Sequence, residues 1–326
     1  MFNGFPDAVF FIIADLLIVI FHVLLLFGWR TKYTSLALFF VLLICQSFSF
    51  SFGKIDHNII WLVIPLVMAF SGWGNTYSID SLYQRKEDVN PWAISLMALL
   101  LGFAMFTASF PKIYSGWLSF DSHATFPHMV YNDLYWDREP LLLQEVLQIK
   151  NIVFWEALDY LAVVFEFGFL LAIFWPQVFR FFVFSAVLFH ISIFLTFGIV
   201  FTNNLLTYLL FINWAIFYPV LNSASFNNIA NKFIRPKYLF VCLTLILSYG
   251  LYHFFFREGF MVPSLLEFIH NTFSINIDQR LLKTLILFSI SLIIAFTSLV
   301  LYIYTQIHER RQVMISSGRP FKKEVV

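Results

Sequence analysis

Long, uninterrupted apolar runs separated by short polar connections repeat along the chain, and nine of them approach membrane-spanning length. A helix needs about 20 apolar residues to cross a hydrocarbon core of ~30 Å. The runs cover residues 8–29, 34–52, 58–73, 91–111, 152–175, 177–200, 205–220, 238–256 and 282–305. The third and seventh are short, and Pro65 is placed to kink the third, so the count stands at eight to ten. The runs are continuous rather than alternating, which excludes a β-barrel. The first has no basic segment ahead of it and no small-residue cleavage site behind it, so it reads as a span and not as a cleavable signal peptide. The predicted fold is all-α, a polytopic transmembrane helical bundle. Its parts are a first membrane region over 1–220, further transmembrane helices over 221–309 and a basic tail over 310–326.

Composition narrows the class. Of 326 residues, 60% are hydrophobic and 12% charged, with 44 Phe and a mean hydropathy of +0.80. A water-soluble domain carries about 45–50% apolar and about 25% charged residues. A soluble enzyme and a disordered chain are therefore excluded. The net charge of +1 provides no field to steer phosphates, so membrane lipid is an expected partner and nucleic acid is not. Cys45 and Cys242 sit inside apolar runs, with no CxxC and no metal-ligand spacing.

The distribution of Lys and Arg predicts the orientation. Thirteen fall in one set of connections and the tail: Arg30, Lys32, Arg85, Lys86, Arg180, Lys232, Arg235, Lys237, Arg310, Arg311, Arg319, Lys322 and Lys323. Seven fall in the other set: Lys54, Lys112, Arg138, Lys150, Arg257, Arg280 and Lys283. The first set is predicted to be cytoplasmic, with the N-terminus outside and the C-terminus inside. The tail then reads as a stop-transfer flank that touches anionic lipid. The longest connection, 112–150, falls outside and carries Tyr114, Trp117, Phe120, Phe126, Tyr131, Tyr135 and Trp136. It is predicted to lie along the headgroups, either as a lid or binding element or as an interfacial anchor.

Ionisable residues inside spans are costly and mark function by default. Asp15 and His22 share one face of the first span, and Asp159 and Glu166 share one face of the fifth, with Glu156 about 60° to one side. His190 lies in the sixth. Counting ~1.5 Å per residue from the outer helix ends puts Asp15, Asp159 and His190 at roughly 10–15 Å, and His22 and Glu166 at about 21 Å. Two polar layers predict an internal pocket or proton path open to the outside, with Asp159 and His190 as a candidate pair. The competing reading makes the histidine a hydrogen-bonded packing residue and the carboxylates protonated acids. Asp121, His123 and His128 lack a fourth ligand and helical spacing, so no metal is expected there.

Two further residues meet at the outer boundary. His57 precedes the third span in GKIDHN (53–58), and Lys112 follows the fourth in FPKIYSGW (110–117). On composition alone, Lys112 is a snorkelling anchor with its charge in the headgroups. Partly desolvated, a lysine becomes a general base instead.

Six stretches taken in order carry a resemblance: FGWRTKYTSLALFF (27–40), FGKIDHNIIW (52–61), FSGWGNTYSIDSLY (70–83), NPWAISLMALLLGFAMFTASFPKIYSGWL (90–118), WEALDYLAVVFEFGFLLAIF (155–174) and FFVFSAVLFHISIFLTFGIVFTN (181–203). Together they resemble the horizontally transferred transmembrane (HTTM) domain, the membrane part of vitamin K-dependent γ-glutamyl carboxylase and its bacterial relatives. The more distant DoxX-like quinone-associated proteins are similar too. The resemblance covers roughly residues 20–220, so the 1–220 region is expected to be HTTM-like, in a bacterial inner membrane. It implies that Lys112 occupies the position of the base that deprotonates a hydroquinone, that His57 assists it, and that His190 is a further pocket histidine. It also implies a quinone or hydroquinone cofactor and chemistry on the outward face. Asp80 matches a family position but lies at the inner boundary, where it reads as a structural cap or loop residue. The chain departs from the family in three ways. No large soluble region follows the membrane part, a paired lysine is replaced by Pro111-Lys112, and FGWRTKY matches the close of the family's second helix.

Two functions follow. One is a quinol-dependent oxidase or carboxylase acting on a small or lipid substrate, with Lys112 and His57 catalytic and His190, Asp159, Glu166, His22 and Asp15 forming the pocket or proton path. The other is a non-enzymatic membrane carrier or assembly component built on the same buried charges. A carrier is expected to show two internal repeats, and none is evident between the halves.

Overall fold

The computed structural model describes residues 6–51, 58–83, 91–136, 140–212, 224–256 and 279–316, and within these every regular element is a helix. The chain opens with α1 (Ala8–Leu26), α2 (Thr31–Phe50), α3 (Asn58–Met68) and the single-turn α4 (Ile79–Tyr83). Then come α5 (Trp92–Tyr114), α6 (Thr125–Trp136), α7 (Leu143–Leu147), α8 (Ile152–Ala172) and α9 (Pro176–Phe197). The last described elements are α10 (Thr202–Tyr208) running into a 3₁₀ turn, Leu209–Phe211, then α11 (Ala224–Phe233), α12 (Pro236–Phe256) and α13 (Gln279–Ser316).

Among the described residues, α1, α2, α5, α9 and α13 are long and apolar enough to cross a membrane, while α3 and α12 contribute shorter apolar stretches. Their outward faces are apolar as well. Phe40 and Ile44 on α2, Phe103 and Phe110 on α5, Phe181 and Leu188 on α9, and Ile293 and Phe296 on α13 are all exposed. Helices apolar all round suit a lipid solvent, and in water such surfaces would aggregate. The chain is an integral, multi-pass membrane protein.

Several runs end differently from the sequence expectation. α8 has spanning length but carries Glu156, Asp159 and Glu166, all buried against other helices rather than facing outward. The third run stops being helical at Met68 and continues as turns, although Pro65 sits inside the helix. The described part of the seventh run is only α10 and its 3₁₀ turn, after which Ile212 is extended. α5 continues past Pro111 to Tyr114, which puts Lys112 in its last turn.

One buried cluster joins residues of α3, α5, α8, α9 and α10, and α13 enters it through Phe288 and Ala295. α13 thus packs on the same core as the helices before residue 221, while Leu239 of α12 packs against Leu24 and Ile79. The most extensive helix pair is α5 with α8. At Gly102 a side chain would press into Ile173 and the Leu170 backbone of α8, so the missing Cβ lets these two helices close together.

At the end of the bundle where α1 meets α2, Asp80 does what the sequence suggests. Its carboxylate accepts from the backbone N–H of Arg30 and of Thr31, each at 2.7 Å, and from Thr31 Oγ1 at 2.9 Å. A side chain from α4 therefore caps α2, satisfying N–H groups that a helix start leaves unpaired. Two backbone bonds, Ile79 N–H to Phe27 O and Asp80 N–H to Gly28 O, fasten the same turn.

Candidate functional site

At the opposite end, α5, α6, α8, α9 and α10 enclose a cavity of about 500 Å³. Leu101, Met105, Phe154, Leu158, Phe189 and Phe197 give it apolar walls, and Lys112, Glu166, His128, His190 and Asn204 add a few polar groups. An apolar hollow with a few convergent polar groups is the usual form of a small-molecule site.

Lys112 and Glu166 form the centre of this set. Nζ lies 2.5 Å from Glu166 Oε1, with Lys112 about a quarter exposed and Glu166 nearly buried. The ammonium also lies over the Trp117 ring, 5.2 Å from its centroid. The second carboxylate oxygen, Glu166 Oε2, is buried without a hydrogen-bond partner. Counting from helix ends places Lys112 at the boundary and Glu166 about 21 Å deep. They meet because the first half of α8 is bonded to α6 and the turn before it, which leaves Glu166, farther along α8, beside the last turn of α5.

α6 and the turn before it roof the cavity, contributing Trp117, Thr125, His128 and Met129 to its lining. Three residues of α8 hold this roof. Asp159, fully buried, accepts from Ala124 N–H at 2.7 Å and Thr125 N–H at 2.8 Å, and also from Thr125 Oγ1. Glu156 accepts from His123 N–H at 3.1 Å, and its Oε1 lies 2.5 Å from His123 Nδ1. Tyr160 donates its hydroxyl to Leu118 O at 2.6 Å. The stretch from Trp117 to Met129 therefore lies over the cavity and is fastened to α8 by these bonds.

His128 hangs from this roof between Trp117 and Phe197, with ring centroids 6.1 Å and 5.9 Å away. Partial burial, and secondarily the positive charge of Lys112, hold its pKa below the ordinary histidine value.

His190 of α9 is buried and lines the cavity. Its Nδ1 is 3.1 Å from the Tyr208 hydroxyl, and the two rings stack at 5.7 Å. Asn204, one turn before Tyr208 on α10, is buried and lines the same cavity. Sequence reasoning misses Tyr208 and Asn204. The signal available is an Asn and a Tyr at i, i+4 on an otherwise apolar stretch, which puts both on one helix face.

The sequence-predicted residues thus divide. Lys112, Glu166 and His190 come together at the cavity. Asp159 is given to the α6 N-terminus instead of to His190, because two N–H groups and a hydroxyl at a helix start are better partners for a carboxylate than one imidazole. Asp15 and His22 are exposed on α1, and His22 bonds its own helix at Ile18 O, 2.8 Å away. They lie away from the cavity because α1 turns Ala14 and Leu24 inward. His57 lies outside the described residues. Among the described residues, no three His, Cys, Asp or Glu side chains are grouped to hold a metal ion.

No family model, no curated protein and no solved structure matches the chain.

Proposed function

We propose that the cavity is the ring site of a quinol-dependent membrane enzyme, an oxidase or carboxylase acting on a small or lipid substrate at the outer face. The observation that carries this reading is the Lys112–Glu166 pair set inside an apolar cavity. The two groups hold one mobile proton between them, and when it rests on Glu166 the Lys112 amine is neutral and has a lone pair to accept another. Taking a second proton from a hydroquinone hydroxyl leaves an ammonium and a carboxylic acid beside the new ring oxyanion. The net positive charge formed on the pair then balances the negative charge formed on the ligand. Such placed charge is worth most where water is excluded. Lys112 is the base in this scheme and Glu166 the partner that keeps the pair neutral beforehand. His57 is proposed to assist, as the resemblance to HTTM domains implies. Reaction of the anion with dioxygen, and the strong base that would follow, come from that resemblance alone.

The test is purification in native lipid, followed by solvent extraction and mass spectrometry of the wild type and Lys112→Ala. Quinone in both preparations, with quinol consumption lost only in the variant, is the expected result. No quinone in either preparation would replace the enzyme by the carrier or assembly component.

A further inference from the structure

The end of the bundle opposite the cavity combines exposed cations with exposed apolar side chains. α11 is a helix of 10 residues, ASFNNIANKF, too short and too polar to cross a membrane. Ile229 and Phe233, one turn apart on one face, are 56% and 61% exposed. Asn228 and Lys232 beside them are exposed as well. Just past the helix, Ile234 packs with Leu24, Ile79 and Leu239, which holds α11 at the end where α1 meets α2. Arg30, Lys32, Lys232 and Lys237 are all exposed there. Three of the four cations lie over aromatic rings: Arg30 over Trp29 at 5.4 Å, Lys32 over Phe70 at 5.4 Å and Lys237 over Tyr238 at 4.8 Å. Among the described residues, none of the four is paired with an acidic side chain. Asp80, the acid at this end, is committed to the backbone amides of Arg30 and Thr31 and to the Thr31 hydroxyl.

We propose that α11 is an in-plane interfacial helix, with Ile229 and Phe233 in the acyl boundary, and that Lys232 and Lys237, together with Arg30 and Lys32, bind anionic phospholipid headgroups. Two observations select lipid as the occupant. The first is continuity: Phe240 and Val241, in the second turn of α12, are 65% and 56% exposed, so the lipid-facing surface of the bundle runs up to α11. The second is charge: a headgroup phosphate supplies the negative partner that these cations lack, and each cation near an anionic surface adds to the attraction. Rings at the headgroup level and cations above them are the ordinary arrangement of a membrane boundary. The proposal is independent of the chemistry in the cavity.

The test places the full chain in nanodiscs of phosphatidylglycerol and phosphatidylcholine in equal amounts and reads the retained lipid by native mass spectrometry. The wild type is expected to retain phosphatidylglycerol preferentially. Lys232→Gln combined with Lys237→Gln is expected to lower that preference about fivefold or more, the effect of at least one surface cation. An unchanged preference in this variant overturns the proposal. A second measurement locates the helix. With the free thiols Cys45 and Cys242 replaced by serine, a nitroxide is placed in turn at Ile229→Cys and Asn228→Cys. Its collisions with oxygen and with a water-soluble nickel chelate are then compared by electron paramagnetic resonance. The Ile229 site is expected to favour oxygen and the Asn228 site the chelate. Equal access of the chelate to both sites would put α11 in water, and shielding of the Ile229 site from both reagents would mean that protein covers that face. Either result overturns the proposal.

Discussion

Lys112 Nζ and Glu166 Oε1 lie 2.5 Å apart across the α5–α8 contact, but the two side chains are not equally buried. Lys112 keeps 24% of its side chain exposed and Glu166 only 7%. After loss of its partner, the lysine can turn its ammonium toward the open mouth, while the carboxylate stays enclosed. Lys112→Met is therefore expected to cost about 3 kcal/mol, the low end for breaking a buried pair, and Glu166→Gln to cost less. Lys112→Met combined with Glu166→Leu should recover most of that loss, since no charge is left to desolvate. A double-mutant cycle on thermal unfolding in detergent micelles checks the order, and equal costs for the two single variants would contradict it.

Asp80 and Asp159 perform the same task at opposite ends of the bundle. Each accepts from two backbone N–H groups and the threonine hydroxyl at a helix start, Thr31 for α2 and Thr125 for α6. Replacing either aspartate by alanine is expected to cost ~1–2 kcal/mol from the lost cap. The consequences differ with position. Asp159→Ala should also loosen the cavity roof and raise hydrogen exchange of the Ala124 and Thr125 amides. Asp80→Ala should leave those amides protected and free the Arg30 and Thr31 amides. Exchange read by mass spectrometry separates the two, and a uniform change along the chain would argue against local caps.

The five long apolar helices among the described residues are legible in the sequence because a lipid solvent demands long apolar runs and permits few charges, which leaves a strong one-dimensional signal. Asp80 is legible as a cap for a similar reason, lying among short polar segments at one boundary. The centre of the site is not. Depth counted along each helix says nothing about where that helix starts, so Lys112 and Glu166 fall at different levels by that count. Asp159 looks like a partner for His190 because its true partners are backbone amides, which no residue letter reveals. Tyr208 and Asn204 escape notice because a stretch that reads as one more span hides a short helix that turns into the core.

Gly28 provides a sharper test of the α1–α2 turn. Its φ is +65°, and a Cβ there would overlap Ser78, whose neighbours Ile79 and Asp80 bond back to residues 27 and 28. Gly28→Ala combines an unfavourable left-handed conformation with a clash against backbone-anchored atoms. The expected outcome is a loss of ~2 kcal/mol or more. Gly116, also at positive φ but with open space where a Cβ would stand, is the control: Gly116→Ala meets only the conformational cost, ~1 kcal/mol. Thermal unfolding of the two variants side by side decides it, and equal losses would mean that the Ser78 contact is not tight.

His128 gives the roof a pH dependence whose sign is fixed by its surroundings. Its folded-state pKa lies below the ordinary value of about 6.5, first because of burial and second because of the Lys112 charge. Between about pH 6.5 and that lower value, the unfolded chain binds a proton at this site and the folded chain does not. The stability contributed by His128 is therefore fully present above about pH 6.5 and is lost as the pH falls through the window beneath it. His128→Gln removes the titrating group and should flatten that part of the stability-against-pH curve, leaving the slopes due to carboxylates at lower pH in place. Glu166→Gln acts on the same residue indirectly. With the carboxylate gone, the Lys112 charge is no longer offset beside the cavity, and the His128 pKa should fall further. Titrating the His128 ring by NMR in wild type and Glu166→Gln tests both steps, and a His128 pKa above about 6.5 in the wild type would reverse the predicted sign.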